Sequence, residues 1–73
     1  MAGRFDFEIT EHVATLSENN AGYTLELNKV AYNGYAAKLD LRKWKDGQPL
    51  KGVTLSDDEA RSLLDALMTL LEV

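Results

Sequence analysis

The sequence has no cysteine, one proline, one tryptophan and one histidine in 73 residues. The lack of cysteine excludes disulfides and thiolate metal sites. A single histidine, His12, excludes a histidine-rich metal cluster. No glycine-rich phosphate loop is present, and neither Ser17 nor Ser56 has a base close in sequence. Positive charge is scarce too, with Lys+Arg 8 against Asp+Glu 12 and a net charge of −4. Taken as a total, that argues against nucleic acid or an anionic membrane as partner. No apolar run approaches the ~20 residues of a membrane-spanning helix. Met1-Ala2-Gly3-Arg4 leads directly into an alternating charged stretch without an apolar targeting core, so a cytoplasmic location is expected.

What remains suits one folded domain over 1–73, with 45% hydrophobic and 27% charged residues. A domain of this size buries only about 60% of its unfolded surface. Small domains commonly add disulfides, a metal or a second chain. The first is excluded and the second has little support, so self-association is expected.

Phe5, Phe7 and Ile9 alternate with polar residues, the period of a half-buried strand. The phase shifts toward Val13 and Leu16, which predicts one long strand bulged near Glu11-His12, or two short ones. Residues 17–22 form a turn ending in Gly22. Tyr23, Leu25 and Leu27 alternate, and the opposite parity of Val30 and Tyr32 predicts a second bulge near Asn28-Lys29. Asn33-Gly34 is a type I′ hairpin signal. A third strand is expected from about Ala36 to Trp44, then a loop over 45–49, then a short strand over 53–55.

The last segment reads as a helix. Ser56 is the N-cap, Glu59 completes a capping box, and Asp57, Asp58 and Glu59 suit the positive end of the helix dipole. Those acids could suggest a cation site, but capping and the dipole explain them. Apolar residues over 60–71 span an arc of about 160° at ~100° per residue. A helix on a single sheet needs roughly 100°. The surplus fits a dimer seam through Leu63, Leu67, Met68, Leu70 and Leu71, or else a deep groove within one chain. The fold class is therefore α+β, a four-stranded antiparallel curved sheet followed by one C-terminal helix.

Catalysis has little to stand on. His12 reads as a half-exposed strand residue, and no enzyme activity, cofactor, metal or small-molecule substrate is expected. The third strand is different. Leu39 and Leu41 share one face, expected to be the core side. Lys38, Asp40, Arg42 and Trp44 share the other, expected to face solvent. A tryptophan there, among lysines and an arginine, suits base stacking with phosphate contacts. It equally suits a ring packed across strands on a tyrosine, with the cations merely solvated. The charge is locally uneven. Residues 29–51 hold Lys29, Lys38, Arg42, Lys43, Lys45 and Lys51 against Asp40 and Asp46, a net +4. The rest of the chain has Arg4 and Arg61 against ten acids, a net −8. Tyr35, at the hairpin end, is expected to be accessible.

Three stretches carry a resemblance. They are Leu25-Glu26-Leu27-Asn28-Lys29-Val30-Ala31-Tyr32-Asn33, Lys38-Leu39-Asp40-Leu41-Arg42-Lys43-Trp44, and Lys51-Gly52-Val53-Thr54-Leu55-Ser56 with Glu59. Together they resemble the positive-cofactor-four-like transcriptional coactivator family, in its short bacterial YdbC-type branch. The likeness runs from about Phe5 to Leu71. It implies four antiparallel strands and a C-terminal helix, paired through the helices into a homodimer that binds single-stranded DNA with little sequence preference. Carried to matching positions, it implies that Lys38, Arg42 and Lys51 contact the backbone and Trp44 stacks a base. Lys29 and Lys43 are further candidates.

The expected function is sequence-tolerant binding of single-stranded DNA or RNA by a homodimer, in transcription regulation or protection of melted DNA. The alternative is a protein-interaction module that offers its acidic helix and first strand to a basic partner.

Overall fold

The computed structural model describes residues 6–73. Phe5 and the 1–4 stretch, used above for the strand start and the targeting argument, lie outside the described residues. Four strands form one antiparallel sheet in the order β1-β2-β3-β4. They are β1 (Phe7–Glu18), β2 (Tyr23–Tyr32), β3 (Lys38–Lys45) and β4 (Gln48–Leu55), followed by helix α1 (Asp57–Leu71). The expected ββββα arrangement is the observed one.

Local chemistry accounts for the connections. Asn19 Oδ1 accepts from the backbone N–H groups of Ala21 and Tyr23 and closes the first turn. Asn33 and Gly34 both have positive φ, at 51° and 82°, as a type I′ turn requires. Asp46 and Gly47 repeat that geometry at 52° and 75°. The expected loop over 45–49 is thus a second tight hairpin. β4 starts at Gln48 and is longer than the expected 53–55, because Pro49 is tolerated on an edge strand.

β1 is a single strand, with register shifts between Ile9 and Glu11, His12 and Ala14, and Thr15 and Ser17. Those irregularities lie on either side of the expected Glu11-His12 bulge. The bulge expected in β2 is absent, since β2 and β3 pair continuously from Tyr23↔Lys45 to Val30↔Lys38. The parity shift has another cause. Both faces of β2 carry apolar residues, Leu25 and Leu27 on one and Val30 and Tyr32 on the other.

Among the described residues, those buried are Val30, Trp44, Asn28 and Asp40. Their pairing places all of them on one face of the sheet. Leu39 and Leu41, expected on the core side, lie on the opposite face and are only half-buried. The core of the chain is therefore on the face assigned to solvent from sequence. Curvature explains the reversal. Phe7 pairs with Tyr32 at one end of β2 and Trp44 pairs with Thr24 at the other. In a flat strand those ends stand about 27 Å apart at ~3.4 Å per residue. Yet the Phe7 and Trp44 ring centroids are 5.5 Å apart, at 60°. The bulged β1 coils over this face and makes it the inside of the curve.

α1 has the expected capping box, with Ser56 Oγ accepting from Glu59 N–H and Glu59 Oε1 accepting from Ser56 N–H. The helix buries none of its residues and meets the sheet mainly at β4. Leu63, Leu64, Leu67, Met68, Leu70 and Leu71 are all exposed, as is Val53 on β4.

Candidate nucleic-acid interface

Two transverse rows of side chains cross the concave face. One runs His12, Asn28, Asp40, Thr54, and the next runs Thr15, Glu26, Arg42, Gly52. A buried carboxylate needs a charge partner and hydrogen bonds. Asp40, fully buried, has both. Arg42 Nε donates to Asp40 Oδ1 at 2.8 Å and to Oδ2 at 3.0 Å, and Nη2 donates to Oδ2 at 2.8 Å. The Tyr32 hydroxyl donates to the same Oδ2 at 3.0 Å. Arg42 Nη1 donates to the Leu50 carbonyl at 2.9 Å, and its guanidinium lies 5.4 Å from the Tyr32 ring centroid. Burial, and then the hydrogen bond to Asp40, pushes the Tyr32 phenol up to about 12. The same carboxylate holds the Arg42 guanidinium above its usual value.

Gly52 makes this possible. It stands opposite Arg42 on β4, and a Cβ there would sit 1.9 Å from Arg42 Cβ and 2.4 Å from the Leu41 carbonyl oxygen. Beside the ion pair lies a second polar network. His12 Nδ1 meets Asn28 Oδ1, Asn28 Nδ2 donates to Glu26 Oε1, and the Thr24 hydroxyl donates to Glu26 Oε2.

The expected binding residues therefore separate. Arg42 is committed to Asp40, with its side chain 16% exposed, so it is not the free phosphate contact expected of it. Trp44 is on the expected face but 4% exposed, packed against Phe7 rather than open for stacking. The exposure expected of it is corrected by the curvature that turns this face inward. Lys38 is exposed on the concave side. Lys29 and Lys43 are exposed on the opposite face, beside Leu39 and Leu25 respectively. Lys51 is exposed where Leu50 and Lys51 together stand opposite Lys43. Tyr35 is 75% exposed at the hairpin. A cleft of about 220 Å³ brings Tyr35 and Lys38 together with Val30, Tyr32, Ala36 and Thr54.

Asp40, Tyr32, Asn28 and Gly52 escaped the reading from sequence. The first had a signal. Opposite charges at i and i+2 of one strand share a face, so Asp40 and Arg42 can pair. Burial of that pair depends on a coil that single-strand periodicity does not report.

A Treponema pallidum (strain Nichols) protein, described as an uncharacterized protein, is 38% identical over 65 residues, spanning 86% of this chain and 76% of its own length. The chain belongs to that protein's family. No family model matches the sequence. That relative's description names no ligand.

Proposed function

We propose that this chain binds single-stranded nucleic acid with little sequence preference, as a homodimer and without catalysis, in transcription regulation or the protection of melted DNA. The observation that carries the reading is the Tyr35–Lys38 cleft, where an exposed aromatic ring and an exposed ammonium flank one opening. Bases stack on such rings and lysines track the phosphates. Lys51, on the edge strand β4, is a second exposed cation, whereas Lys29 and Lys43 lie on the opposite face of the sheet. The likeness of the 38–44 and 51–56 segments to single-strand-binding coactivators points the same way.

The dimer rests on a separate argument. The leucine face of the sheet and the apolar stripe of α1 are both left open by the single chain. A second copy supplies a matching surface, and Leu63, Leu67, Met68, Leu70 and Leu71 are its contacts. A cytoplasmic location belongs to the same reading.

Anisotropy of fluorescein-labelled oligo-dT, measured from low to physiological salt, tests it. Binding whose log K falls by about 0.7 per phosphate contact for each tenfold rise in salt is expected. Absence of binding at low salt by folded protein contradicts the reading. Competition with oligo-rU decides between DNA and RNA.

A further inference from the structure

His12, the single histidine of the chain, stands on the concave side of β1, and the binding surface described so far does not use it. Its hydrogen bonds fix which ring nitrogen holds the proton. Asn28 spends its amide N–H on Glu26 Oε1, at 3.2 Å, so Asn28 Oδ1 is the atom that faces the ring. His12 Nδ1–H donates to that oxygen at 2.5 Å. Nε2 of the neutral ring is therefore an acceptor, and the Thr15 hydroxyl donates to it at 3.2 Å. A hydroxyl can also accept. When the ring gains a proton at Nε2, Thr15 turns and accepts it, and no hydrogen bond is lost. Nδ1 stands 3.7 Å from Glu26 Oε1, and the His12 side chain is 50% exposed.

The surrounding charges decide what that proton does. On β3, Asp40 and Arg42 cancel one another. Lys38 is set against Glu26 on β2 and, at the far end of β1, Glu18. Glu8 and Glu11 of β1 face the other way, with Glu11 opposite Lys29. The row Ile9–Val30–Lys38, next to His12, leads into the Tyr35–Lys38 cleft. Thr54, at the other end of His12's own row, lines that cleft. A strand laid along this face thus meets the Glu26 carboxylate beside His12.

We propose that His12 is a proton-gated phosphate contact. Neutral, it leaves Glu26 to repel the strand. As an imidazolium it offsets Glu26 and presents Nε2–H, beside Thr15, to a phosphate. The inference rests on the single-strand-binding reading and adds its regulation by pH. Histidine is the side chain whose ordinary titration falls between about pH 5 and 8. The protonated form binds tighter, so affinity rises as pH falls. By linkage, the bound strand raises the pH at which His12 loses its proton.

The experiment measures anisotropy of labelled oligo-dT, whose bases do not titrate in this range, at about pH 5.5 and pH 8 and fixed low ionic strength. Wild type is expected to bind about two- to fivefold tighter at the lower pH, the range of one exposed ion pair. Its salt slope should steepen there by about 0.7, one phosphate contact. His12→Gln, with circular dichroism as control of the fold, should lose both changes. In wild type, the ring-proton shift of the single histidine should titrate at higher pH when oligo-dT is present, a readout that needs no variant. Wild-type affinity that is the same at both pH values overturns this inference alone, as does a folded His12→Gln that keeps the full change. So does a His12 titration that bound oligo-dT leaves in place. Failure of wild type to bind at either pH overturns the parent reading, and this inference with it.

Discussion

Arg42 clasps Asp40 by two nitrogens, two residues away on the same strand and inside the curve of the sheet. Such a pair adds modest net stability when intact, but removal of one member leaves an uncompensated buried charge. Asp40→Ala and Arg42→Ala are each expected to cost about 3–5 kcal/mol. The double variant should cost less than the sum of the two. Urea denaturation of the four proteins checks this. Additive costs would mean that the two side chains are energetically independent.

Gly52 sets the geometry around that pair. Gly52→Ala puts a methyl into Arg42 Cβ and the Leu41 carbonyl, which are backbone-fixed. The β3–β4 ladder must shift, at a cost of about 1–3 kcal/mol or more. Thermal melts should show a lowered midpoint, and amide exchange should quicken in β4 before β2.

Tyr32 gives the chain an alkaline signature. Its phenol is pushed up from 10.0 to about 12 by burial and by its hydrogen bond to Asp40. The fold favours the neutral phenol, so this contribution is fully present below pH 10. It is lost as pH rises from 10 toward 12. Tyrosinate absorbance should show one late-titrating group. Tyr32→Phe should remove that phase and flatten the loss of stability over the same range.

Much of this fold was legible in sequence for local reasons. The Ser56–Glu59 capping box, the Asn33-Gly34 turn and the alternation in β3 are set by residues adjacent in the chain. The third-strand face grouping Lys38, Asp40, Arg42 and Trp44 was also legible, because side chains alternate strictly. Which side of the sheet turned inward was not. That depends on β1 bringing Phe7 over Trp44, a contact between residues far apart in sequence. The Asp46-Gly47 hairpin was missed although it carries the same turn chemistry as Asn33-Gly34, because the whole 45–49 stretch was read as a loop.

The helix supplies a prediction independent of any ligand. Leu67 is exposed in the single chain, in the middle of the apolar stripe. Wild type is expected to show twice the chain mass by light scattering at micromolar concentration, and Leu67→Glu to show the monomer mass. A wild-type monomer would remove the dimer from the account.

The cationic surface predicts graded effects. Lys38→Ala should weaken oligo-dT binding and shallow its salt slope by about 0.7, one phosphate contact. Lys51→Ala should do the same, since it is exposed and unpaired by any salt bridge among the described residues. Equal slopes in wild type and both variants would place the strand elsewhere.

The central claim is that the sheet, through its Tyr35–Lys38 cleft and neighbouring lysines, receives the strand. Backbone amide shifts recorded by NMR as oligo-dT is added at low salt test it most directly. The account predicts the largest changes at Tyr35, Lys38 and Lys51, with α1 unmoved. Changes confined to α1 and the acidic residues of β1, or none at all, would contradict it.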